Sequence, residues 1–182
     1  MSTSDAVAVR FAQVGDVPAI CGIVNHYIAE SSSNFRTEPY SVEEWADQLA
    51  AAADRFPYLV AEVGGTVAGV AYASPWRPKQ AYAWTAESTV YVSPAHQGLG
   101  LGSLLYAELL KRLEQQGFRS VMAQITQPNP GSEALHERFG FTLLGSIRDA
   151  GYKHGAWHGV GIWQKELAPL ADPPAPTAPV ER

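Results

Sequence analysis

The sequence predicts an α/β fold of the α+β type, in which helices flank a mixed, mostly antiparallel central sheet. Strand-like and helix-like patterns follow one another in the order β-α-α-β-β-β-α-β-α-β-β, and a sheet covered by helices accommodates that order. The length of 182 residues and the hydrophobic content of 46% suit a single core. The last stretch, PLADPPAPTAPVER, has little to bury. We therefore expect one domain over residues 1–167 and a disordered proline-rich tail over residues 168–182.

The first half of the chain predicts a strand, two helices and a hairpin. Alternation in VAVRF indicates a strand, and the amphipathic stretch VPAICGIVNHYIAE follows Asp16, which we expect to cap it. The stretch SVEE, starting at Ser41, has the form of a capping box and predicts a second helix. Two β-rich runs, PYLVAEV and TVAGVAYAS, are joined at Gly64 and Gly65. Glycines at such a junction are typical of a tight hairpin turn.

The second half predicts four more strands and two more helices. WTAESTVYVS is a strand pattern, and it leads through a glycine-rich loop into a helix with a leucine stripe that ends at Gly117. RSVMAQIT predicts a further strand and SEALHERFG a short helix. FTLLGSIR and WHGVGIWQKEL predict the two closing strands.

Charge and cysteine content limit the classes of ligand and compartment. A net charge of -5 and a pI near 5.5 argue against a nucleic-acid partner, because phosphate backbones are bound by basic faces. Cys21 is the only cysteine and lies among apolar residues, so we expect it to be buried in a protein of a reducing compartment. We find no signal peptide and no span of membrane length. These observations predict a cytoplasmic protein with a small-molecule ligand and no membrane partner.

A glycine-rich loop opens the longest predicted helix. Gly98, Gly100 and Gly102 occupy every second position, where bare backbone lets phosphate oxygens approach the N–H groups of a helix N-terminus. A P-loop would need Gly-Lys-Ser/Thr, and a dinucleotide fingerprint would need glycine where Ser103 stands. The loop therefore predicts a pyrophosphate cradle of another kind, with a tight helix entry that binds no ligand as the alternative.

The flanks of this loop carry a family resemblance. Gln-x-x-Gly-x-Gly between a strand and a long amphipathic helix resembles the acetyl-coenzyme A signature of the GNAT superfamily of N-acetyltransferases. The segments NHYIAESSSNFRTEP, AYAWTAESTVYVSPAHQ, PNPGSEALHERFGF and GYKHGAWHGVGIWQ resemble phosphinothricin acetyltransferases and the related methionine sulfoximine acetyltransferases. The resemblance extends from about Val9 to Trp163.

The resemblance implies acetyl-coenzyme A as co-substrate. Loop amides would hold its pyrophosphate, and its pantetheine arm would lie beside the preceding strand. The implied coenzyme contacts are Val90, Tyr91, Val92, Gln97, Gly98, Leu99, Gly100, Leu101, Gly102, Ser103 and Asn129. For Asn129, a simple turn or N-terminal cap is the alternative.

Glu87 is the first candidate for acid–base chemistry. Alternation places Thr85, Glu87, Thr89 and Tyr91 on one face of their strand, and such a polar row is costly in a central strand unless it lines a cleft. Acetyl transfer requires a group that accepts the proton of the attacking amine. In the resembled family this glutamate is a proposed base, whereas an edge-strand glutamate facing solvent is the alternative. Desolvation would have to raise its pKa for efficient catalysis at neutral pH.

His136 is the second candidate. A tyrosine often occupies this position in the wider family and protonates the departing thiolate, whereas the phosphinothricin branch has histidine. An imidazole can remove or return a proton near neutral pH, although a histidine on a helix surface would look the same in sequence. His154 and His158 have an i, i+4 spacing without a third ligand, so we predict no metal. His26 could lie in core or pocket, and His96 is expected to position the loop.

The residues expected to bind the acceptor flank the predicted active strand. Cations suit a carboxylate, phosphinate or sulfoximine oxygen, and aromatic rings could form the walls, although each cation could equally be a solvated surface charge. The candidates are Phe35, Arg36, Arg77, Lys79, Tyr82 and Tyr91. Departures from the phosphinothricin pattern at Ala83, Pro130 and Gly159 put a narrow substrate preference in doubt.

Together with the candidate residues, the resemblance implies an N-acetyltransferase acting on the α-amino group of phosphinothricin (glufosinate) or a similar small anionic amino-acid analogue. The amine would attack directly in a ternary complex. The alternatives are acetylation of methionine sulfoximine, methionine sulfone or another small amine and, more distantly, a non-catalytic coenzyme A sensor. The resemblance also implies a homodimer and a role in herbicide resistance.

Overall fold

The computed structural model describes residues 6–52 and 54–181. Its helices are α1 (Val17–Glu30), α2 (Val42–Ala52), α3 (Leu101–Gln115) and α4 (Pro130–Arg138). Its strands are β1 (Val7–Phe11), β2 (Tyr58–Val63), β3 (Thr66–Pro75), β4 (Thr85–Val92), β5 (Ser120–Gln127), β6 (Thr142–Lys153) and β7 (Ala156–Glu166). The predicted fold class and order of helices and strands are confirmed.

The strands form one mixed sheet in the order β1-β2-β3-β4-β5-β7-β6. Every neighbouring pair is antiparallel except β4 and β5, which run parallel. The β2–β3 hairpin turns at Gly64 and Gly65, whose φ angles are 57° and 78°. Two consecutive positive φ angles are what a turn with the right twist for a hairpin demands, and glycine adopts them without steric cost.

Helices cover both faces of the sheet because strand residues alternate between two cores. Leu59, Ala61 and Ala71 belong to the core that contains the leucine stripe of α3. Tyr58, Val60 and Val70 belong to the core under α1 and α2. The buried helical residues of these cores are Leu105, Tyr106, Leu109 and Leu113 on α3, and Ile20, Val24, Trp45 and Leu49 on α1 and α2.

The two predicted helix starts have different outcomes. At α2 the Ser41 hydroxyl accepts from the Glu44 N–H at 3.1 Å, and the Glu44 carboxylate accepts from the Ser41 N–H at 2.7 Å, which confirms the capping box. At α1 Asp16 occupies the N-cap position without a side-chain cap bond. Its carboxylate instead accepts from the Gln13 N–H and from the Arg10 guanidinium, each at 2.7 Å. The Arg10 hydrogen bond lowers the pKa of Asp16, so an ion pair replaces the predicted cap.

The parallel strands β4 and β5 separate soon after they meet. Their register joins Thr85 to Ser120, Ala86 to Val121 and Glu87 to Met122. Beyond Glu87, β4 continues to Val92 and β5 to Gln127. A cleft therefore opens inside the sheet, and Glu87 stands where the paired strands divide.

Residues 168–181 follow the surface without helix or strand. The Trp84 indole N–H donates to the Ala175 carbonyl at 2.6 Å. The Gln116 side chain donates to the Ala178 carbonyl at 2.9 Å, and the Ala178 N–H donates to the Gln116 carbonyl at 2.7 Å. These contacts join the described part of the tail to the domain, while the disorder of the tail and the division at residue 167 stay predictions.

Cys21 is buried at 4% exposure, and its thiol donates to the Tyr40 carbonyl at 3.2 Å. Among the described residues, no helix has both the length and the apolar character needed to cross a bilayer.

Candidate active site

A cavity of about 710 Å³ occupies the cleft between β4 and β5. It extends to the start of α3 and to α4, so it joins segments that the sequence places far apart. The predicted catalytic and coenzyme residues that line it are Glu87, Val90, Tyr91, Val92, Gln97, Gly98, Gly100, Leu101, Gly102, Ser103, Asn129 and His136. Leu99, by contrast, is 55% exposed and lies outside this lining.

The glycine loop has the backbone that its sequence predicts. Gly98 and Gly100 have φ angles of 79° and 75°, in the left-handed region that favours glycine. Gly100 is the N-cap of α3, and as a glycine it has no side chain that could cap the helix. The N-terminus of α3, which is the positive end of the helix dipole, lines the cavity and suits an anionic ligand.

Two side-chain contacts hold this loop in place. The Tyr27 hydroxyl donates to the Val92 carbonyl at 2.6 Å and accepts from the Gln97 side chain at 3.1 Å. These bonds tie the loop to the end of β4 and to α1. On the other side the Arg138 guanidinium donates to the Ser103 hydroxyl at 3.1 Å, which places a cation beside the first turn of α3. His96 also lines the cavity, next to the loop, as its position in the sequence predicts.

Glu87 faces the cavity and has one close partner. The side-chain amide of Gln124 on β5 donates to its carboxylate at 2.8 Å. Burial raises the pKa of Glu87, and the Gln124 hydrogen bond and the positive charge of Arg77 oppose that rise. The result is a carboxylate more basic than one in water, at the fork of the two strands.

His136 is only 4% exposed, so it is not a residue of the helix surface. Its Nδ1–H donates to the Ser132 carbonyl at 2.7 Å, which leaves Nε2 without a proton in the neutral ring. Burial lowers the pKa of His136 below its ordinary value, and the Ser132 hydrogen bond opposes that change. The imidazole packs edge-on against Tyr106 and Phe141, with centroid distances of 5.0 Å in both cases. At neutral pH it is therefore an uncharged, fixed ring on the cavity wall.

Asn129 is the N-cap of α4 and also lies at the cavity. Its side chain accepts from the Ser132 N–H at 3.2 Å and caps α4. It also lines the cavity. The cap fixes the asparagine side chain at the edge of the cleft, where contact with a coenzyme stays a prediction.

Of the predicted acceptor residues, the structure brings only Tyr91 into the cavity lining. Arg36 donates to Glu44 at 2.8 Å and lies 3.8 Å from the centre of the Tyr40 ring. It therefore does what the alternative from the sequence supposed, and pairs on the surface. This pairing forms because the capping box of α2 holds the Glu44 carboxylate within reach of Arg36.

The other predicted acceptor residues do not line the cavity. Arg77 stacks over Trp76 at 4.4 Å while its charge acts on Glu87. Lys79 and Tyr82 are exposed in the segment between β3 and β4. Phe35 packs so closely on Gly151 that a Cβ there would lie 2.5 Å from its ring.

The segment after α1 is held by a lysine that sequence analysis missed. Lys153, 6% exposed, donates to the Ile28 and Asn34 carbonyls, both at 2.6 Å. Burial lowers the pKa of Lys153. The Asn34 side chain then donates to the Tyr91 hydroxyl at 3.1 Å, and Ser33 lines the cavity. No local pattern could reveal these contacts, because they join β6 to a segment more than a hundred residues earlier.

Further cavity residues were also missed, including Tyr27, Ser33, Ser88, Gln124, Thr126, Ser132 and Arg138. For Gln124 a signal was present, because it interrupts an apolar run in a predicted strand. The remaining histidines lie elsewhere: His26 is exposed on α1, and His154 and His158 contact backbone carbonyls. No three His, Cys, Asp or Glu side chains of the described residues are arranged to hold a metal.

The sheet with its internal cleft, the glycine loop at the start of α3 and the facing carboxylate define an acetyltransferase of the GNAT class. The chain belongs to this family, because the family model described as "Acetyltransferase (GNAT) family" matches residues 22–141.

Comparison with individual proteins places the chain within one branch of the family. It is 57% identical to phosphinothricin N-acetyltransferase of Streptomyces viridochromogenes, over 96% of this chain and 94% of that one. It is 32% identical to L-methionine sulfoximine/L-methionine sulfone acetyltransferase of Pseudomonas paraeruginosa, over 93% and 99%. Its fold matches the crystal structure of a phosphinothricin acetyltransferase from Sinorhizobium meliloti in complex with AcCoA. That match has a TM-score of 0.88 and 33% identity and covers 94% of this chain and 93% of that one. The predicted family and enzyme class are thereby confirmed.

Proposed function

We propose that this enzyme transfers the acetyl group of acetyl-coenzyme A to the α-amino group of phosphinothricin or a similar small anionic amino-acid analogue, by direct attack in a ternary complex. The observation that carries the proposal is the single cavity that contains both the glycine loop of α3 and the pair Glu87 and His136. The likeness to a phosphinothricin N-acetyltransferase over nearly the whole chain supports the acceptor class.

The cavity residues suit the coenzyme. Its volume of about 710 Å³ lies in the range of small-molecule sites. Gly98, Gly100 and the first turn of α3 supply backbone N–H groups for a pyrophosphate, and Arg138 adds a positive charge beside them. The residues proposed as contacts along the pantetheine arm are Val90, Tyr91, Val92 and Asn129. Acetyl-coenzyme A would supply the acyl group in activated form, as a thioester.

Glu87 and His136 are the acid–base residues in this proposal. An amino group attacks only when neutral, so one of these residues must accept a proton from the acceptor, directly or through water. The raised pKa of Glu87 makes its carboxylate a stronger base than one in water. The lowered pKa of His136 keeps its ring neutral at pH 7 with Nε2 free to accept a proton, which it can afterwards return to the leaving thiolate.

Recognition of the anionic group of the acceptor is assigned to the cavity mouth. Arg77 acts electrostatically on Glu87, so its charge is within range of an acceptor bound there. Lys79 is proposed as a second cation, and Phe35, Tyr82 and Tyr91 as aromatic walls. Arg36 is the weakest of the six candidates, because Glu44 already engages it.

Methionine sulfoximine and methionine sulfone form the second candidate class of acceptor. A relative named for both compounds matches 93% of the chain. The departures at Ala83, Pro130 and Gly159 from the phosphinothricin pattern favour this broader range, because a missing polar contact changes discrimination between similar ligands.

A cytoplasmic homodimer and a role in herbicide resistance complete the proposal. The β6–β7 hairpin leaves large apolar side chains exposed, and a second copy of the chain would cover them. These are Leu143, Leu144, Ile147, Tyr152 and Trp157. Sedimentation equilibrium should give the mass of two chains. A mass of one chain at micromolar concentration would exclude the dimer.

The test of function is thioester cleavage with a panel of amines. We expect rapid thiol release with phosphinothricin, methionine sulfoximine or methionine sulfone, and little with amines that lack an anionic or strongly polar side chain. The ratio of kcat/KM values ranks the acceptors. Tight coenzyme binding without thiol release for any amine would instead identify a coenzyme A sensor.

A further inference from the structure

Gln124 is an exception within its strand. Residues 120–126 of β5 are buried apart from Gln124, which is exposed to the cavity. At Gln124 strand β5 is paired with β7 alone, and a polar side chain that faces the cleft gains nothing from core packing. The Gln124 amide is therefore available for a hydrogen bond with a side chain that faces the cavity.

The partner is Glu87, across the fork of the sheet. Glu87 pairs with Met122 in the register of β4 and β5, so Gln124 is its diagonal neighbour on the same face. The Gln124 amide donates to Oε1 of Glu87 at 2.8 Å. A carboxylate has two oxygens, so this bond occupies one and leaves Oε2 for another donor.

We infer that Gln124 is a positioning residue for acetyl transfer: its amide fixes the Glu87 carboxylate so that the second oxygen faces the amine of the acceptor. This inference rests on the proposed function, because it requires Glu87 to act on the acceptor. Neither residue changes covalently in this role. Gln124 restricts the rotation of the carboxylate and supplies a neutral donor that stabilises its ionised form.

The effect of Gln124 on the pKa of Glu87 can be distinguished from the effects of burial and of Arg77. Burial raises the pKa of Glu87, whereas the Gln124 hydrogen bond and the charge of Arg77 lower it. Removing the amide therefore moves the pKa of Glu87 upward. Replacing the amide with a cation moves it downward.

The experiment measures kcat, kcat/KM and their pH profiles for the acceptor in three variants at position 124. Gln124→Met should lower kcat/KM roughly tenfold at pH 7 and move the midpoint of the rising limb to higher pH. Gln124→Glu should move that midpoint further in the same direction, because a second carboxylate disfavours ionisation of the first. Gln124→Lys should move it to lower pH. Coenzyme affinity, measured by calorimetry, should stay within about twofold in all three.

The matched control is Gln115→Met, the same change on the exposed end of α3 and outside the cavity lining. It should leave the pH profile and the acceptor KM unchanged. A structural role for Gln124 would lower the melting temperature of Gln124→Met without moving the limb. That outcome overturns the inference.

Comparison with Glu87→Gln separates this inference from the proposed function. If Glu87→Gln loses turnover while the position-124 variants keep the wild-type limb, Glu87 acts without Gln124 and only the inference fails. If Glu87→Gln keeps full turnover, the role assigned to Glu87 fails and the inference fails with it.

Discussion

The two ends of the cavity are built in different ways. In the proposed site, the pyrophosphate end is the continuous segment Gln97–Ser103, where the backbone conformation and the helix start supply the binding groups. The proposed acceptor end is assembled from segments far apart in the sequence, including β4, β5 and α4, which meet only in the folded chain. The first end depends on local backbone geometry and the second on long-range packing. Changes at the two ends should therefore affect different kinetic constants.

The electrostatics of the two ends differ as well. The coenzyme end offers partial charges of N–H groups and a helix dipole, which need no titration. Near the acceptor end, burial shifts the pKa values of Glu87, His136 and Lys153. We therefore expect pH to act mainly on acceptor turnover, and coenzyme binding to change less across the same range.

The largest expected effect comes from Glu87→Gln, which keeps the shape and the hydrogen-bonding capacity of the side chain but removes its basicity. Turnover should fall roughly 10²–10⁴-fold at pH 7, while coenzyme affinity measured by calorimetry stays unchanged. Steady-state kinetics with saturating acceptor supply the turnover number. Near-full turnover would exclude Glu87 as the base and direct attention to His136, Tyr91 or water.

His136→Asn is expected to lower turnover by about 10²-fold if the imidazole accepts or returns a proton. Because the pKa of His136 is lowered by burial, its protonation limb lies below about 6.5. That limb should disappear from the pH–rate profile of the variant. A histidine with no role in proton transfer would leave the limb in place.

Stability gives an independent check on the same residue. A depressed folded-state pKa contributes stability that is present above the unfolded-state value of about 6.5 and is lost as pH falls through the folded-state value. Wild-type protein should therefore lose stability more steeply than His136→Asn below that pH. Denaturant unfolding at several pH values measures the difference.

The difference between local geometry and long-range packing also explains which features could be predicted from the sequence. The order of helices and strands, the hairpin at Gly64, the capping box at Ser41 and the glycine loop were all predictable, because each depends on residues close together in the chain. The position of Glu87 in a cleft was predictable, because a carboxylate in a central strand is costly unless it lines a cleft. The contacts of Lys153 and Gln124 were not found, because their partners lie 37 or more residues away. The pairing of Arg36 with Glu44 was not predicted for a related reason, because it depends on how α2 folds back.

Arg77→Ala and Arg36→Ala test the assignment of the acceptor end. Arg77→Ala should weaken acceptor binding about 5- to 150-fold, equivalent to about 1–3 kcal/mol, with no equal change for the coenzyme. Arg36→Ala should leave both Michaelis constants unchanged, because Arg36 already pairs with Glu44 on the surface. Lys79→Ala should resemble Arg77→Ala with a smaller loss. Equal effects of Arg77→Ala on the two substrates would remove it from the acceptor site.

The most specific test of the coenzyme end comes from Gly102→Ala. An added Cβ would lie 3.7 Å from Val92 and 3.8 Å from Leu135, which is ordinary van der Waals contact. Alanine also favours a helix over glycine, so the protein itself should tolerate the change or become more stable by up to about 1 kcal/mol. Coenzyme affinity should nevertheless fall, roughly tenfold, if phosphate oxygens approach the bare backbone of this turn. Gly22→Ala on α1 is the matched control, because its Cβ meets nothing within 4 Å, and it should share the stability gain without the loss of affinity. Calorimetric titration and thermal unfolding of both variants measure the two quantities, and unchanged affinity in Gly102→Ala would mean that the coenzyme does not approach this turn.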